Sequence, residues 1–67
     1  MAMKFKYDPD VDVVYLRLTD KDIVDSEELQ PGMIVDFDAN GKIVAIEFLN
    51  ATDRFTPETI REIGEAA

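Results

Sequence analysis

The chain contains no cysteine and no histidine. Without thiols there is no disulfide, no thiolate nucleophile and no cysteine-bound zinc. Without imidazole there is no histidine metal ligand, no histidine general base and no Ser-His relay. Ser26 is the one serine, and it stands among Asp25, Glu27 and Glu28, whose charge opposes its activation. Three scattered glycines make no phosphate cradle. Basic residues are also scarce: seven Lys and Arg face fifteen Asp and Glu, a net charge of −8. That balance repels phosphate backbones and anionic lipid, so neither nucleic acid nor membrane is expected as a partner, whereas a basic protein is. Carboxylates remain, but each falls in a turn or on an outward face with no cleft. Catalysis is not expected, and no catalytic residue, cofactor or metal ligand is assigned.

Sixty-seven residues make a single domain, 1–67. A chain this short buries only about 60% of its unfolded surface. Its ordering entropy, roughly 1.5 kcal/mol per residue, nearly cancels the gain from burial, so unusually good packing, a metal or a partner subunit is needed. With 46% apolar residues it is too hydrophobic to be disordered. The absence of cysteine, of an apolar signal region in Met-Ala-Met-Lys-Phe-Lys and of a membrane span leads us to expect a cytoplasmic protein.

Met3, Phe5 and Tyr7 alternate with Lys4 and Lys6, and Asp8-Pro9-Asp10 is a turn signal before the β-rich run Val13 to Leu18. These are the strands of a first hairpin, near 3–7 and 12–18. With Phe5 facing Val14, one face holds Met3, Phe5, Tyr7, Val14 and Leu16, and the other Lys4, Lys6, Val13, Tyr15 and Arg17. Tyr7 and Tyr15 among Lys4, Lys6 and Arg17 form a small basic-aromatic patch, whose ordinary role is core edge and solvated lysine. A short strand near 23–28 carries Asp25, Glu27 and Glu28, charges that blunt an exposed edge and place it at the sheet margin. Pro31-Gly32 punctuates the chain before strands near 33–39 and 42–49. A polar connector, Asn50 to Phe55, leads into a helix near 57–65. Thr56 is its N-cap, Pro57 its first residue, and Phe55 and Ile60 occupy staple positions. Ile60 and Ile63 form its apolar stripe, and Gly64 and the last alanines are expected to fray.

Residues 36–47 match the calcium loop of an EF-hand. Asp36, Asp38 and Asn40 stand at positions one, three and five, Gly41 at six, Ile43 at eight and Glu47 at twelve. Such a loop needs a helix on each side, and Pro31-Gly32 lies where the entering helix would run. A hairpin explains more residues. With Asn40-Gly41 as a two-residue type I′ turn, Ala39 pairs with Lys42 and Val35 faces Ile46. Met33, Val35, Phe37, Val44, Ile46 and Phe48 then form one apolar face, with Ile34, Asp36, Asp38, Ile43, Ala45 and Glu47 on the other. Asp36 and Glu47 become diagonal neighbours about 7–8 Å apart, too far to grip one ion together. No metal site is therefore assigned; a calcium-binding protein using Asp36, Asp38, Asn40 and Glu47 is the alternative function. Asp8-Pro9-Asp10-Val11-Asp12 is a second acidic triplet, but Val13 stands where such a loop needs Gly and Thr19 where it needs Glu.

Tyr7 to Leu18, then Pro31-Gly32-Met33-Ile34-Val35-Asp36, then Gly41 to Glu47 together resemble a small prokaryotic family known as domain of unknown function 2283. The likeness runs through Arg54 and brings no assigned activity. Its members are short and β-rich, and some lie beside a small toxin-like gene, which implies an antitoxin-like binding module.

The expectation is an α+β domain: an antiparallel sheet of four to five strands built from two hairpins, with one short C-terminal helix packed on it. Apolar residues on both faces of the second hairpin, Ile34, Ile43, Ala45 and Leu49 included, exceed what one helix covers, so a homodimer is expected. The expected role is that of a non-catalytic protein-interaction module.

Overall fold

In the computed structural model, which describes residues 3–66, five antiparallel strands form one sheet. They are β1 (Lys4–Asp8), β2 (Val13–Arg17), β3 (Asp25–Gln30), β4 (Met33–Phe37) and β5 (Ile43–Phe48). Their order is β1-β2-β5-β4-β3, so the first hairpin joins the three-stranded meander through β2 and β5. The segment after β2 reaches the far edge by passing the ends of β5 and β4, with the Leu18 amide donating to Val44 O and the Val24 amide to Phe37 O. Arg17 holds this crossing, its Nε and Nη2 donating to the carbonyls of Thr19 and Lys21 at 2.9 and 2.7 Å.

The first hairpin pairs Tyr7 with Val14 and Phe5 with Leu16, two residues away from the expected register. The shift preserves parity, so the two faces are populated as expected. The loop is Pro9 to Asp12, and its last residue is in the left-handed region at φ 56°. The second hairpin pairs Val35 with Ile46 as expected, but its turn differs. Asp38 Oδ1 accepts the amides of Asn40 and Lys42 at 2.9 Å each, and the Asp38 amide donates to Lys42 O. The result is a three-residue loop in which only Gly41 has positive φ, at 77°, with a register shift after Asp36. A side chain that satisfies turn amides has replaced the type I′ geometry.

The connector after β5 contains a helix as well. Asn50, at φ 55°, opens the single turn α1 (Ala51–Arg54). Its first amide donates to Asp12 O at 2.9 Å, and Ala51 is fully buried. α2 (Pro57–Ala66) follows, and the Thr56 hydroxyl accepts the Thr59 amide at 3.1 Å, the expected cap. Ile60 and Ile63 are half-buried while Glu58, Arg61, Glu62 and Glu65 are exposed. The helix includes Gly64; the fraying expected at Ala67 lies outside the described residues.

Phe55 meets Phe48 edge-on, ring centroids 5.3 Å apart, which sets the helical segment on the apolar face, with α2 against β1. Arg54 ties the other end, donating to the carbonyls of Leu49 and Pro31. Gly32, at φ 80°, sits directly under that guanidinium, where any Cβ would collide with it. The core is thin: its fully buried apolar residues are Val14, Val35, Val44, Ala45 and Ala51, while Phe5, Ile23, Val24 and Leu29 remain exposed. None of the described helices is long and apolar enough to cross a membrane.

Candidate functional site

The sheet has one face without helices. It presents Lys4, Lys6 and Asp8 from β1; Val13, Tyr15 and Arg17 from β2; Ile43, Ala45 and Glu47 from β5; Ile34 and Asp36 from β4; and Ser26 and Glu28 from β3. Alternation along each strand puts these side chains together, and the pairing registers line them up in rows. Along the β1 edge lies an open depression of about 730 Å³ lined by Met3, Lys4, Phe5, Lys6, Tyr15, Arg17 and Asp20. The Arg17 Nη1 reaches Tyr15 Oη at 3.3 Å, and that contact, helped by Asp20 and Asp22, raises the guanidinium's already high pKa.

At the centre of this face two carboxylates meet. Asp36 pairs with Ala45, and Glu47 lies two residues along β5 on the same side. Asp36 is only 3% exposed, and its Oδ1 accepts the Ser26 hydroxyl at 2.5 Å. Burial raises the pKa of Glu47, and so do the Asp36 charge and a hydrogen bond to it. The Glu47 side chain thus reaches Asp36. This corrects the expected separation: diagonal backbone spacing is wide, but aspartate and glutamate side chains span it. These surroundings disfavour the ionised form of Glu47, with burial the largest cause.

The remaining members of the calcium alternative are not gathered there. Asp38 is engaged with the amides of its own turn, and Asn40 is exposed at the tip. Segment 36–47 lies in two strands and a tight turn, without the flanking helices of a calcium hand. Among the described residues no group of three or more acidic side chains is placed to hold a metal ion.

The second notable surface is β3. It is a sheet edge, as expected, and all six of its residues are exposed, among them Asp25, Glu27 and Glu28. Leu29 within it and Ile23 and Val24 just before it are uncovered, which puts apolar side chains next to acid along an edge whose outer backbone groups face solvent.

A third cluster is a structural tie. The Asp12 carboxylate accepts the Tyr7 hydroxyl at 2.9 Å, the Thr52 amide at 3.2 Å and the Thr52 hydroxyl at 2.8 Å. The Thr52 hydrogen bond is the main reason its pKa is lowered, with Tyr7 adding to it; the Tyr7 phenol is raised in return by the same contact. The sequence showed Asp12 only as the last acid of the second acidic triplet, at the start of the expected strand near 12–18. Its partner is forty residues away in a segment read as connector, so no local signal marked it.

No curated protein and no solved structure matches the chain. A family model does, over residues 4–51, which takes in all five strands and the first residue of α1. The chain belongs to the family described as protein of unknown function (DUF2283).

Proposed function

We propose that this chain is a non-catalytic protein-interaction module that binds a basic protein, in the manner of an antitoxin covering a small toxin, and that it works in the cytoplasm as a homodimer. The observation that carries this proposal is the edge strand β3. An exposed strand with Asp25, Glu27, Glu28 and Leu29 along it, and Ile23 and Val24 just before it, offers backbone hydrogen bonds, charge and apolar contact to an extended basic segment. The overall charge of −8 adds long-range attraction for such a partner. The homodimer is supported by the thin core: the largest fully buried side chains are two valines, so a second copy is the simplest source of further burial.

Co-purification from the native cell at low and high salt tests the proposal, with the product of the adjacent gene followed first. A basic partner retained at low salt and lost at high salt is the expected result, since surface charges are screened over about 10 Å at 0.1 M. A neighbour that never co-purifies, and whose activity is unchanged by an excess of this protein, removes the antitoxin-like role.

A further inference from the structure

We infer that the outer edge of β3 takes one kind of occupant: an extended segment of a basic protein that pairs through its backbone with Ser26 and Glu28 and carries two cationic side chains, two residues apart, on the helix-bearing side of the sheet. The inference rests on the basic partner proposed above and names the pattern that such a partner must carry.

The phase of the hydrogen bonds decides which groups of β3 are on offer. The Leu49 amide donates to Gly32 O, so the backbone of Gly32, and with it that of Ile34 and Asp36, turns toward β5. The alternate residues Val35 and Phe37 turn toward β3, and Phe37 O accepts the Val24 amide. Their partners are Glu27 and Asp25, whose backbone groups are therefore directed into the sheet. Ser26 and Glu28 are left with their amides and carbonyls pointing away from it. The Ser26 amide shows this directly, because it donates to the Asp25 carboxylate at 2.9 Å. One outer amide of the edge is thus covered by an acid of the same strand, which guards it against indiscriminate pairing.

The side chains divide in the same way. Asp25 and Glu27 pair with Phe37 and Val35 and stand on the helix-bearing face, yet α2 lies against β1 at the opposite edge and leaves them exposed. Glu28 is on the open face, and its carboxylate already accepts the Gly32 amide, so it takes no part in the charge pattern. An incoming antiparallel strand bonded to Ser26 and Glu28 sets two of its residues directly opposite Asp25 and Glu27, on that same face. Lys or Arg at those places meets both carboxylates. A carbonyl of the incoming strand takes the Ser26 amide, and the displaced Asp25 carboxylate turns to the incoming cation. Val24 and Leu29, 61% and 53% exposed, flank the two acids and offer apolar contact at either end.

A second copy of this chain is a poor occupant of the edge, because antiparallel pairing of two β3 strands always lays acid on acid. Pairing through Ser26 and Ser26 sets Asp25 opposite Glu27. Pairing through Ser26 and Glu28 sets Glu27 opposite Glu27, and pairing through Glu28 and Glu28 sets that carboxylate opposite itself.

Titration of the isotopically labelled full chain with two ten-residue peptides tests the inference. Both are rich in valine and threonine and identical in composition, one with its two lysines two residues apart and the other with them adjacent. Adjacent residues of a strand point to opposite faces, so the second peptide brings only one lysine to the acids. The first should bind about two- to fivefold more tightly, the worth of one cross-strand ion pair, and Glu27→Gln should erase the difference. In its complex the Ser26 and Glu28 amides should exchange with solvent more slowly. Ser26→Pro removes an amide that a sheet edge can spare. Relative to Ser26→Ala, which also lacks the hydroxyl bonded to Asp36, it should lose about two- to tenfold in affinity. Circular dichroism checks that both variants fold, and the two-peptide comparison on the wild type decides if Ser26→Pro does not. Equal affinity for the two peptides, no binding at millimolar peptide, or binding that leaves the Ser26 and Glu28 amides unprotected overturns the inference. So does a native basic partner that binds Ser26→Pro and Ser26→Ala equally well, a result that leaves the proposed function standing. Peptides that behave as expected, with no basic protein co-purifying from the cell, support the edge pattern and count against the proposed function alone.

Discussion

The two faces of this sheet solve opposite problems with strands that alternate in the same way. The covered face is assembled from Val14, Val35, Val44, Ile46 and Phe48, and is closed by Phe55 and the helical segment. The open face mixes Val13, Tyr15, Ile34, Ile43 and Ala45 with the bases Lys4, Lys6 and Arg17 and the acids Asp8, Asp36, Glu47 and Glu28. The first face holds the chain together. The second carries Glu47, whose pKa is raised by burial and by the Asp36 charge.

Substitutions at matched positions separate the two roles. The largest effect should come from the covered face. Val44 is fully buried at the centre of the sheet, and Val44→Asp should cost about 3–5 kcal/mol or more, enough to abolish the cooperative melting transition in a domain this small. A folded Val44→Asp protein would mean that this face is not the core.

The tie between the loop and α1 should show itself in acid. The Asp12 pKa is lowered by its hydrogen bonds, so the stability that it contributes is complete above the ordinary aspartate value, about 3.9, and is lost as pH falls through the lower folded value. Asp12→Asn should melt below wild type at neutral pH, and the difference should narrow as the wild-type carboxylate protonates. Melting curves from pH 7 to pH 2 check this, and a gap that is constant with pH would rule out the charge as its source.

Glu47 should behave with the opposite sign. Its pKa is raised, so its unfavourable contribution grows as pH rises from about 4.3 through the folded value. Glu47→Gln, measured where the chain is monomeric, should melt slightly higher at neutral pH, by roughly 0.5–1 kcal/mol after allowing for solvent screening, and should lose that advantage in acid. A destabilised Glu47→Gln monomer would show that the Glu47 charge is not unfavourable there. The smallest expected effect is that of calcium. Titration calorimetry with millimolar calcium should give no saturable heat, because Asp38 is committed to its turn. Saturable binding lost in Glu47→Gln would restore the calcium-binding alternative.

Much of this was legible because local signals agreed. Alternation fixed which residues share a face, and it survived a two-residue error in the first hairpin because the error was even. Thr56-Pro57 announced α2, and the acids of β3 announced an edge. What escaped depends on contacts distant in sequence or on side-chain reach. The left-handed Asp12 and the single turn α1 hold each other in place across forty residues, so neither had a local signature. The β2–β5 pairing that builds the open face joins two separate hairpins. The Asp36–Glu47 contact followed from side-chain length, which a backbone spacing does not contain.

The proposed homodimer can be tested most directly by methyl NMR over a dilution series, because the apolar residues of the two faces report separately. On dilution from millimolar to low micromolar concentration, the methyl signals of one set, Val13, Ile34 and Ile43 on the open face or Val35, Val44 and Ile46 on the covered one, should shift together along one binding curve. A spectrum that does not change with concentration, in a protein sedimenting as a monomer, would contradict it.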